Sequence, residues 1–331
     1  MIVNLHGLLI ALRTQDERVR RQWRTLFDYE LAEQFLDTVS REPQIVLEVK
    51  VQNSPPLPPD EKPVYVSNFP PLQVYGRPED IIILVPSTQV HIHLKLGSPE
   101  IGNNRQEADI VVSITPCVLE DDSFEDVITL ALAPLLRRRG FFMVHAFSAS
   151  FEQKAAILVG PSGSGKTTSG LALVYQGWDL LANDIALLRD DEPIAALLSP
   201  GTVHVTPVTL ALLPELAESH QQYAAHPHHG KSAIPRLALL QLDSPNLSSE
   251  LKAVYFPEVG HGPRHEIDDM SRAVGLARML EASMDQWDRQ TWHDHMDFLE
   301  KVSHQVRFRT LILGQVLHNL PQLLEQDLHR L

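Results

Sequence analysis

The sequence predicts an α/β domain that follows a smaller, β-rich α+β domain. A glycine-rich segment at 160–168 lies between an apolar, strand-like run at 155–159 and a segment with helical spacing of apolar residues. A short buried strand at 178–184 follows that helix and ends in an acidic group, an arrangement typical of α/β sheets. Before residue 124, several short segments alternate apolar and polar residues, which is typical of strands. We therefore place the domains at 1–123 and 124–331.

The composition limits the function classes. The chain has 331 residues, of which 44% are hydrophobic, enough for two domains with a core. Its formal net charge of −14 argues against a nucleic-acid or anionic-membrane partner, because phosphate binding over a large surface needs a basic face. The single cysteine, Cys117, fits a reducing compartment. The N-terminal apolar run is too short and interrupted for a signal peptide or a membrane span, so we expect a cytoplasmic protein.

The first domain has the pattern of a sheet with one helix. The helix is predicted from Asp16 to Phe27, with Val19, Trp23 and Leu26 facing the core. Strands are predicted at 1–12, 45–51, 64–66, 81–85, 90–96 and 110–114.

Two histidines of this domain, His91 and His93, fall on one face of a predicted strand and could ligate a metal. No third ligand is evident near them in the sequence, so a pair of surface histidines is favoured. The sequence assigns the first domain no role.

The second domain is predicted to begin with a helix that Ser123 caps and that ends at Gly140. The remaining elements predicted here are a strand at 142–146, a turn at 147–153, a hairpin of 185–188 with 194–198, and a mainly helical tail at 271–331 with a short strand at 307–313.

The segment GPSGSGKTT matches the phosphate-binding pattern G-x-x-x-x-G-K-[ST] without a mismatch. Its glycines allow the backbone to bend so that successive N–H groups face phosphate oxygens, and the positive end of the following helix favours the same anion. Lys166 can then reach the β- and γ-phosphates, and the Thr167 hydroxyl can bind Mg²⁺. We therefore expect ATP and Mg²⁺ as cofactors. The residues assigned to the nucleotide are Gly160, Pro161, Ser162, Gly163, Ser164, Gly165, Lys166, Thr167 and Thr168.

Further motifs narrow the class of nucleotide-binding protein. A transporter ATPase would carry an LSGGQ-type signature and a GTPase an N-K-x-D motif, and the sequence contains neither. Asp184 lies on the strand directly behind the helix of the loop, which places a carboxylate beside the γ-phosphate. A kinase needs such a group as a base for an incoming hydroxyl or as a metal ligand. In the loop at 226–231, the histidines are more typical of a mobile polar loop than of a metal site, whereas Lys231 is a cation that could reach phosphate.

Three segments together resemble the catalytic domain of HPr kinase/phosphorylase and the stand-alone HprK-like serine kinases. They are Val144-His145-Ala146, 157–168 and 177–184, and the resemblance covers roughly 124–331. It implies a P-loop kinase domain with the phosphoenolpyruvate-carboxykinase-like fold. It also implies that Asp184 is the proton acceptor and His145 an active-site group, that Lys166 clamps phosphate, and that Thr167 and Asp184 bind Mg²⁺.

The chain departs from this family at two places. The family carries two consecutive aspartates at the strand end, whereas this chain has Asn183 before Asp184. The L-E-x-R-G-like signature of true HPr kinases, with its metal-binding glutamate, is absent from 198–204. HPr is therefore not expected as the substrate. The stand-alone relatives also lack the signature, and some are associated with peptide-modification clusters in which a serine of a precursor peptide is phosphorylated.

Three functions remain open. The first is an ATP-dependent kinase acting on a serine or similar hydroxyl of a peptide, protein or small molecule. The second is a nucleotide-binding regulatory protein with weak or lost phosphotransfer, as Asn183 and the missing glutamate suggest. The third is a small-molecule kinase that shares only the loop and Asp184. The acceptor is not identified by the sequence, and a homo-oligomer is left open.

Overall fold

A computed structural model describes most of the chain, in two compact units. The units are Met1–Leu135 with Trp287–Gln290, and Leu136–Gln286 with Thr291–Leu331. The described residues are 1–27, 42–54, 56–68, 71–77, 79–96, 108–121, 123–219, 230–239, 246–283, 287–289 and 291–331. The mixed α/β architecture predicted from the sequence is confirmed, while the domain boundary at 123/124 stays a prediction.

The first unit is built on an eight-stranded sheet with the strand order β1-β2-β3-β8-β7-β6-β5-β4. β2, β3 and β8 run parallel, and the other neighbours pair antiparallel. Its strands are β1 Ile2–Leu5, β2 Leu8–Arg13, β3 Ile45–Val51, β4 Tyr65–Asn68, β5 Pro71–Arg77, β6 Asp80–Val85, β7 Val90–Leu96 and β8 Ala108–Ile114. Helix α1 is Glu17–Leu26, and α2 Cys117–Glu120 and α3 Phe124–Arg137 follow the sheet.

The helix α1 follows the sequence pattern closely. The Asp16 carboxylate accepts a hydrogen bond from the Arg18 backbone N–H at 2.8 Å, which caps the helix. Val19, Trp23 and Leu26 are buried, as predicted.

Three predictions for this unit need correction. The strand expected at 1–12 is the hairpin of β1 and β2, which turns at His6 and Gly7 with positive φ angles. β5 was not predicted, because Pro71 at its start and Gly76 near its end are residues that usually mark turns. His91 is buried and only His93 is partly exposed, with its Nε2 2.5 Å from the Asp80 carboxylate, so the two are not a surface pair.

The second unit contains ten strands and six helices among its described residues. The strands are β9 Phe141–Phe151, β10 Lys154–Val159, β11 Asp179–Ala182, β12 Ile185–Arg189, β13 Ala195–Leu197, β14 Thr202–Val205, β15 Ser232–Pro235, β16 Ser248–Val259, β17 Glu266–Asp269 and β18 Arg307–Leu313. The helices are α4 Lys166–Tyr175, α5 Pro207–Leu212, α6 Pro214–Ser219, α7 Arg272–Glu281, α8 Trp292–Gln305 and α9 Leu320–His329. Short 3-10 turns lie at Arg236–Ala238 and Leu317–Asn319.

The main sheet of this unit has the order β10-β9-β12-β13-β16-β18-β17, with β11 also paired to β9 and β10 also paired to β16. β10 therefore lies between β9, which is antiparallel to it, and β16, which is parallel. The pair β14 and β15 forms a separate two-stranded ribbon. This arrangement holds β10 on both sides up to the point where the glycine-rich loop begins.

Helix α4 packs closely against the long strand β9. A Cβ added at Gly170 would lie 2.2 Å from the Phe147 ring, so only glycine permits this approach. Phe147, Ala149, Leu158 and Leu171 belong to the buried cluster that joins the helix to the sheet. The segment 147–153, predicted as a turn, instead continues β9 to Phe151, because its small polar residues are buried in the sheet rather than exposed.

Other predictions for this unit are confirmed. Strands β12 and β13 pair antiparallel as the expected hairpin, and β18 occupies the predicted strand at 307–313. The tail contains the three helices α7, α8 and α9. In the described part of the chain, no helix has both the length and the apolar character required to cross a bilayer.

Candidate phosphate-binding site

The glycine-rich loop leaves the carboxyl end of β10 and turns directly into α4. Gly163 and Gly165 adopt left-handed φ angles of 83° and 95°. At Gly165 a Cβ would also lie 2.6 Å from Leu313 Cδ1, so both the backbone and the space require glycine. The structure thus gives the loop the strand–turn–helix context that the phosphate-binding pattern needs.

The start of α4 has no side-chain cap and no acidic residue in its first turn. The first N–H groups of a helix lack partners within the helix, and they need another acceptor. An anion at this end would satisfy them and would be favoured by the helix dipole. The Ser164 N–H is already used, since it donates to the Pro161 carbonyl at 3.2 Å.

Lys166 is almost fully buried, and its ammonium group folds back onto the loop. Its Nζ donates to the Gly160 carbonyl at 2.7 Å and to the Pro161 carbonyl at 3.1 Å. Burial lowers the pKa of Lys166, while the Asp184 carboxylate acts in the opposite direction and the Lys231 ammonium adds to the lowering. The positive charge is therefore held by neutral carbonyls, an arrangement that leaves it available to a negatively charged ligand.

The register of β9 brings His145 and Asp184 to the loop. Ala146 pairs with Val159, the last residue before the loop, and His145 pairs with Ile185, the residue after Asp184. The Ala146 N–H donates to the Asp184 carbonyl at 3.0 Å. The carboxyl end of β10 and the residue Asp184 therefore lie on either side of one short stretch of β9.

His145 lies on the α4 face of the sheet. Alternate residues of a strand share a face, and Phe147 and Ala149 pack in the cluster that joins β9 to α4. His145 is partly buried, and burial together with the Lys166 charge lowers its pKa, while Asp184 acts against this and Lys231 adds to it. The imidazole is thus neutral at neutral pH, with one ring nitrogen able to accept a hydrogen bond.

Asn183 points into the same region and is nearly buried. Its Nδ2 donates to Asp184 Oδ2 at 3.1 Å and to the Thr202 carbonyl at 3.4 Å. Its Oδ1 and the Ser164 hydroxyl in the loop are both buried, and neither has a hydrogen-bond partner among the residues that the structure describes. Buried polar atoms are normally paired, so two orphaned oxygens beside one loop indicate a place where a bound group completes the bonding.

The residues present therefore fit a magnesium nucleotide. The uncapped helix and the buried Lys166 suit the phosphates. Thr167, in the first turn of α4, and Asp184 supply the oxygen ligands that Mg²⁺ prefers. Among the residues that the structure describes, no group of three His, Cys, Asp or Glu could hold a metal alone. A magnesium ion here would need phosphate oxygens as well, as is usual for this ion.

A contact between threonines, which the sequence does not predict, joins α4 to α5. Thr168 Oγ1 lies 2.8 Å from Thr209 Oγ1, which in turn lies 3.0 Å from Thr206 Oγ1. Thr206 also caps α5 by accepting from the Thr209 N–H. The Thr206-Pro207 pair is a typical helix start and could have predicted α5, but nothing local predicts its contact with α4.

The predicted site residues thus divide into two groups. The nine loop residues, His145 and Asp184 lie in one region, and Lys231 lies near them. His226, His228 and His229 of the predicted polar loop lie outside the described residues.

Comparison with known proteins adds little to this geometry. No protein-family model and no curated protein matches the chain. Among solved structures, the chain is similar to the HPr(Ser) kinase/phosphatase from Coxiella burnetii at 12% sequence identity and a TM-score of 0.31, over 57% of this chain and 88% of that chain. A likeness this weak supports no functional argument by itself, so the relation to HPr kinases stays a resemblance. The function rests on the site.

Proposed function

We propose that the protein is an ATP-dependent phosphotransferase of the HPr kinase-like type, with the phosphoenolpyruvate-carboxykinase-like P-loop fold in residues 124–331. It transfers the γ-phosphate of Mg-ATP to a serine or similar hydroxyl of a peptide, protein or small molecule, and HPr is not its acceptor. The observation that carries this proposal is the uncapped start of α4 with the buried Lys166 ammonium, next to Asp184.

The loop residues perform the binding step. The first-turn N–H groups of α4 and the Lys166 ammonium hold the β- and γ-phosphates, and Lys166 exchanges its loop carbonyls for phosphate oxygens. Thr167 and Asp184 would hold Mg²⁺, which would supply positive charge against the phosphates during transfer. The absence of acidic residues from the first turn of α4 keeps this end of the helix favourable for an anion.

Asp184 performs the proton transfer. Its carboxylate accepts the proton of the acceptor hydroxyl as the new oxygen–phosphorus bond forms and the bond between the γ-phosphorus and the bridging oxygen breaks, which releases ADP. His145, neutral and on the adjacent strand, can accept a hydrogen bond from the acceptor or orient Asp184. His145 lies on β9 and Asp184 directly precedes β12, whereas the loop follows β10 on the other side of β9.

One observation favours a second function, that of a nucleotide-binding regulatory protein with little transfer. The Asn183 Nδ2 donates to Asp184 Oδ2. This bond occupies one of the two carboxylate oxygens, so only the other is open to the proton of an acceptor. A protein that binds ATP tightly but transfers slowly would result.

The test begins with nucleotide binding by the variant Lys166→Ala. Removing a charged donor of this kind should weaken Mg-ATP binding by about 10-fold to 100-fold in calorimetry. Lys252→Ala is the matched control, since Lys252 pairs with Glu250 on β16 and lies outside the site. Wild-type affinity in Lys166→Ala, with the fold intact by circular dichroism, would contradict the proposal.

Turnover separates the two functions. Wild-type protein is incubated with ATP labelled on the γ-phosphate, a panel of serine peptides and a water-only control. Label on a peptide supports the kinase. Tight binding with no transfer to any acceptor supports the regulatory protein instead.

A further inference from the structure

We propose that Lys231 is a second phosphate-binding cation of this site and that it reads the terminal phosphate of ATP. The inference deepens the proposed function and rests on it. Lys231 lies outside the glycine-rich pattern and comes from a different part of the chain, just before β15.

The position of Lys231 follows from the β14–β15 ribbon. Ser232, the next residue, pairs with Val205 at the end of β14, and Thr206 follows Val205 directly. Lys231 therefore lies at the end of the ribbon where α5 begins.

The ribbon is attached to the site at both ends. At its start, the Thr202 carbonyl accepts from the Asn183 side chain, beside Asp184. At its other end, Thr206 contacts Thr209, which contacts Thr168 in the first turn of α4. Three ribbon residues also pack in the same buried hydrophobic cluster as residues of α4. They are Val203, Val205 and Ile234. The well-packed ribbon therefore places Lys231 close to the start of α4.

The electrostatics of the site agree with this placement of the Lys231 ammonium. It acts on Lys166 and on His145, and it lowers the pKa of both. Two ammonium groups and one carboxylate, that of Asp184, then share a partly buried region. Like charges in such a region repel, and an added anion would relieve the repulsion.

The terminal phosphate is the group that this second cation suits. Lys166 belongs to the loop, and its ammonium already donates to the Gly160 and Pro161 carbonyls. Lys231 comes from the end of the ribbon next to the first turn of α4, and it acts on His145, which neighbours the proposed base on the adjacent strand. A cation beside the base should contact the phosphoryl group being transferred, which ATP has and ADP lacks. Lys231 should therefore contribute to ATP binding and little to ADP binding.

The experiment compares Mg-ATP and Mg-ADP binding by calorimetry in wild type, Lys231→Gln and Lys231→Arg. In Lys231→Gln, ATP affinity should fall by about 10-fold to 100-fold, the loss expected for a charged hydrogen-bonding group, while ADP affinity stays within about twofold. Lys231→Arg keeps the charge and should retain most of the preference for ATP. Equal loss for both nucleotides, or loss for neither, would overturn the inference.

A second measurement on the wild-type protein does not depend on the variant folding. Amines are acetylated with and without nucleotide and the modified lysines are identified by mass spectrometry, with Lys252 as the reference. ATP should protect Lys231, ADP should not, and Lys252 should react equally in all samples. Equal reactivity of Lys231 with ATP and ADP would count against the inference even when both nucleotides bind. Failure of the wild type to bind either nucleotide would instead remove the proposed function itself.

Discussion

Two polar clusters inside the second unit are built in opposite ways. The first, which we call the site cluster, consists of His145, Lys166, Asp184 and Lys231. The second, the tyrosine network, consists of Tyr255, Arg309 and Asp327.

The tyrosine network pairs its charges internally, although the buried Arg309 Nε, 3.2 Å from Asp327 Oδ2, makes no aligned hydrogen bond with the described residues. The buried Tyr255 hydroxyl donates to Asp327 Oδ2 at 2.8 Å, and Arg309 Nη2 donates to Asp327 Oδ1 at 3.3 Å. Arg309 also pairs with Asp269. Burial, the Asp327 charge and the hydrogen bond to it raise the pKa of Tyr255, which therefore stays a neutral donor. The cation and the carboxylate are therefore paired with each other, and the hydroxyl has its acceptor, without a ligand.

The charged groups of the site cluster are not paired with one another in this way. Lys166 binds neutral carbonyls, and two lysines face one aspartate. Beside the cluster, the buried Asn183 Oδ1 has no partner among the described residues. Such an arrangement costs folding stability, because one carboxylate does not balance two ammonium groups in a partly buried region. The difference indicates that the network serves the fold and the site cluster serves a ligand. Changes in the first should alter stability, and changes in the second should alter binding and rate.

The largest effect is expected from Asp184→Asn. The amide keeps the shape of the side chain and cannot accept the proton, so phosphotransfer should fall by about 10²-fold to 10⁴-fold. ATP binding should persist, because the amide oxygen can still face Mg²⁺ and the loop and Lys166 still hold the phosphates. The rate is measured with labelled ATP and the best acceptor of the peptide panel. Undiminished transfer by this variant would mean that another group is the base.

Asn183→Asp is the matched control for that experiment. It removes the Nδ2 donor from Asp184 and adds a carboxylate next to it. Transfer should stay similar or rise, because Asp184 is released from the hydrogen bond. A wild type without turnover that this variant activates would favour the regulatory function over the kinase.

The sequence alone predicts part of the site cluster but not the tyrosine network. The glycine-rich pattern lies in one continuous segment, and Asp184 follows on the next strand, so local periodicity was enough to bring them together. The same holds for α1, whose cap and apolar face are close in sequence.

The other parts depend on pairings between distant segments. Tyr255 and Asp327 form one network across β16 and α9, and no local pattern links them. The proximity of Lys231 to Lys166 depends on the β14–β15 ribbon, although the sequence did single out Lys231 as a cation. The extension of β9 was missed because Ser148 and Ser150 are typical of turns in sequence, whereas here they lie buried between strands.

His295 on α8 sharpens the comparison, because it is buried and lies outside both clusters. Neither of its ring nitrogens has a hydrogen-bond partner in the described part of the chain. Its ring stacks on Trp292 and contacts Phe142. Burial, with a contribution from Arg137, lowers its pKa from 6.5 to about 3. The folded state therefore keeps this ring neutral where the unfolded chain binds a proton.

The sign of the pH effect follows. Above about pH 6.5 the ring is neutral in both states, and its contribution to stability is fully present. As the pH falls from 6.5 towards 3, the unfolded state gains a proton that the folded state does not, so stability is lost by up to about 1.4 kcal/mol per pH unit. Urea unfolding between pH 7 and pH 4 should show a smaller acid loss in His295→Phe than in wild type. Equal acid losses would show that the ring is protonated within the fold.

The smallest effect is expected from Tyr255→Phe, which tests the other half of the comparison. The variant removes one donor from Asp327 and keeps the ring, and the carboxylate still binds Arg309. The cost should therefore be that of a single hydrogen bond to a charged group, about 1.5–3 kcal/mol of unfolding free energy in urea. ATP affinity should stay within about twofold, because the ring still fills the core between β16 and α9. Tyr255 pairs with Leu158, close to the start of the loop, so this is a demanding test. A large loss of ATP affinity at unchanged stability would show that the network belongs to the site, and the separation of the two clusters would be wrong.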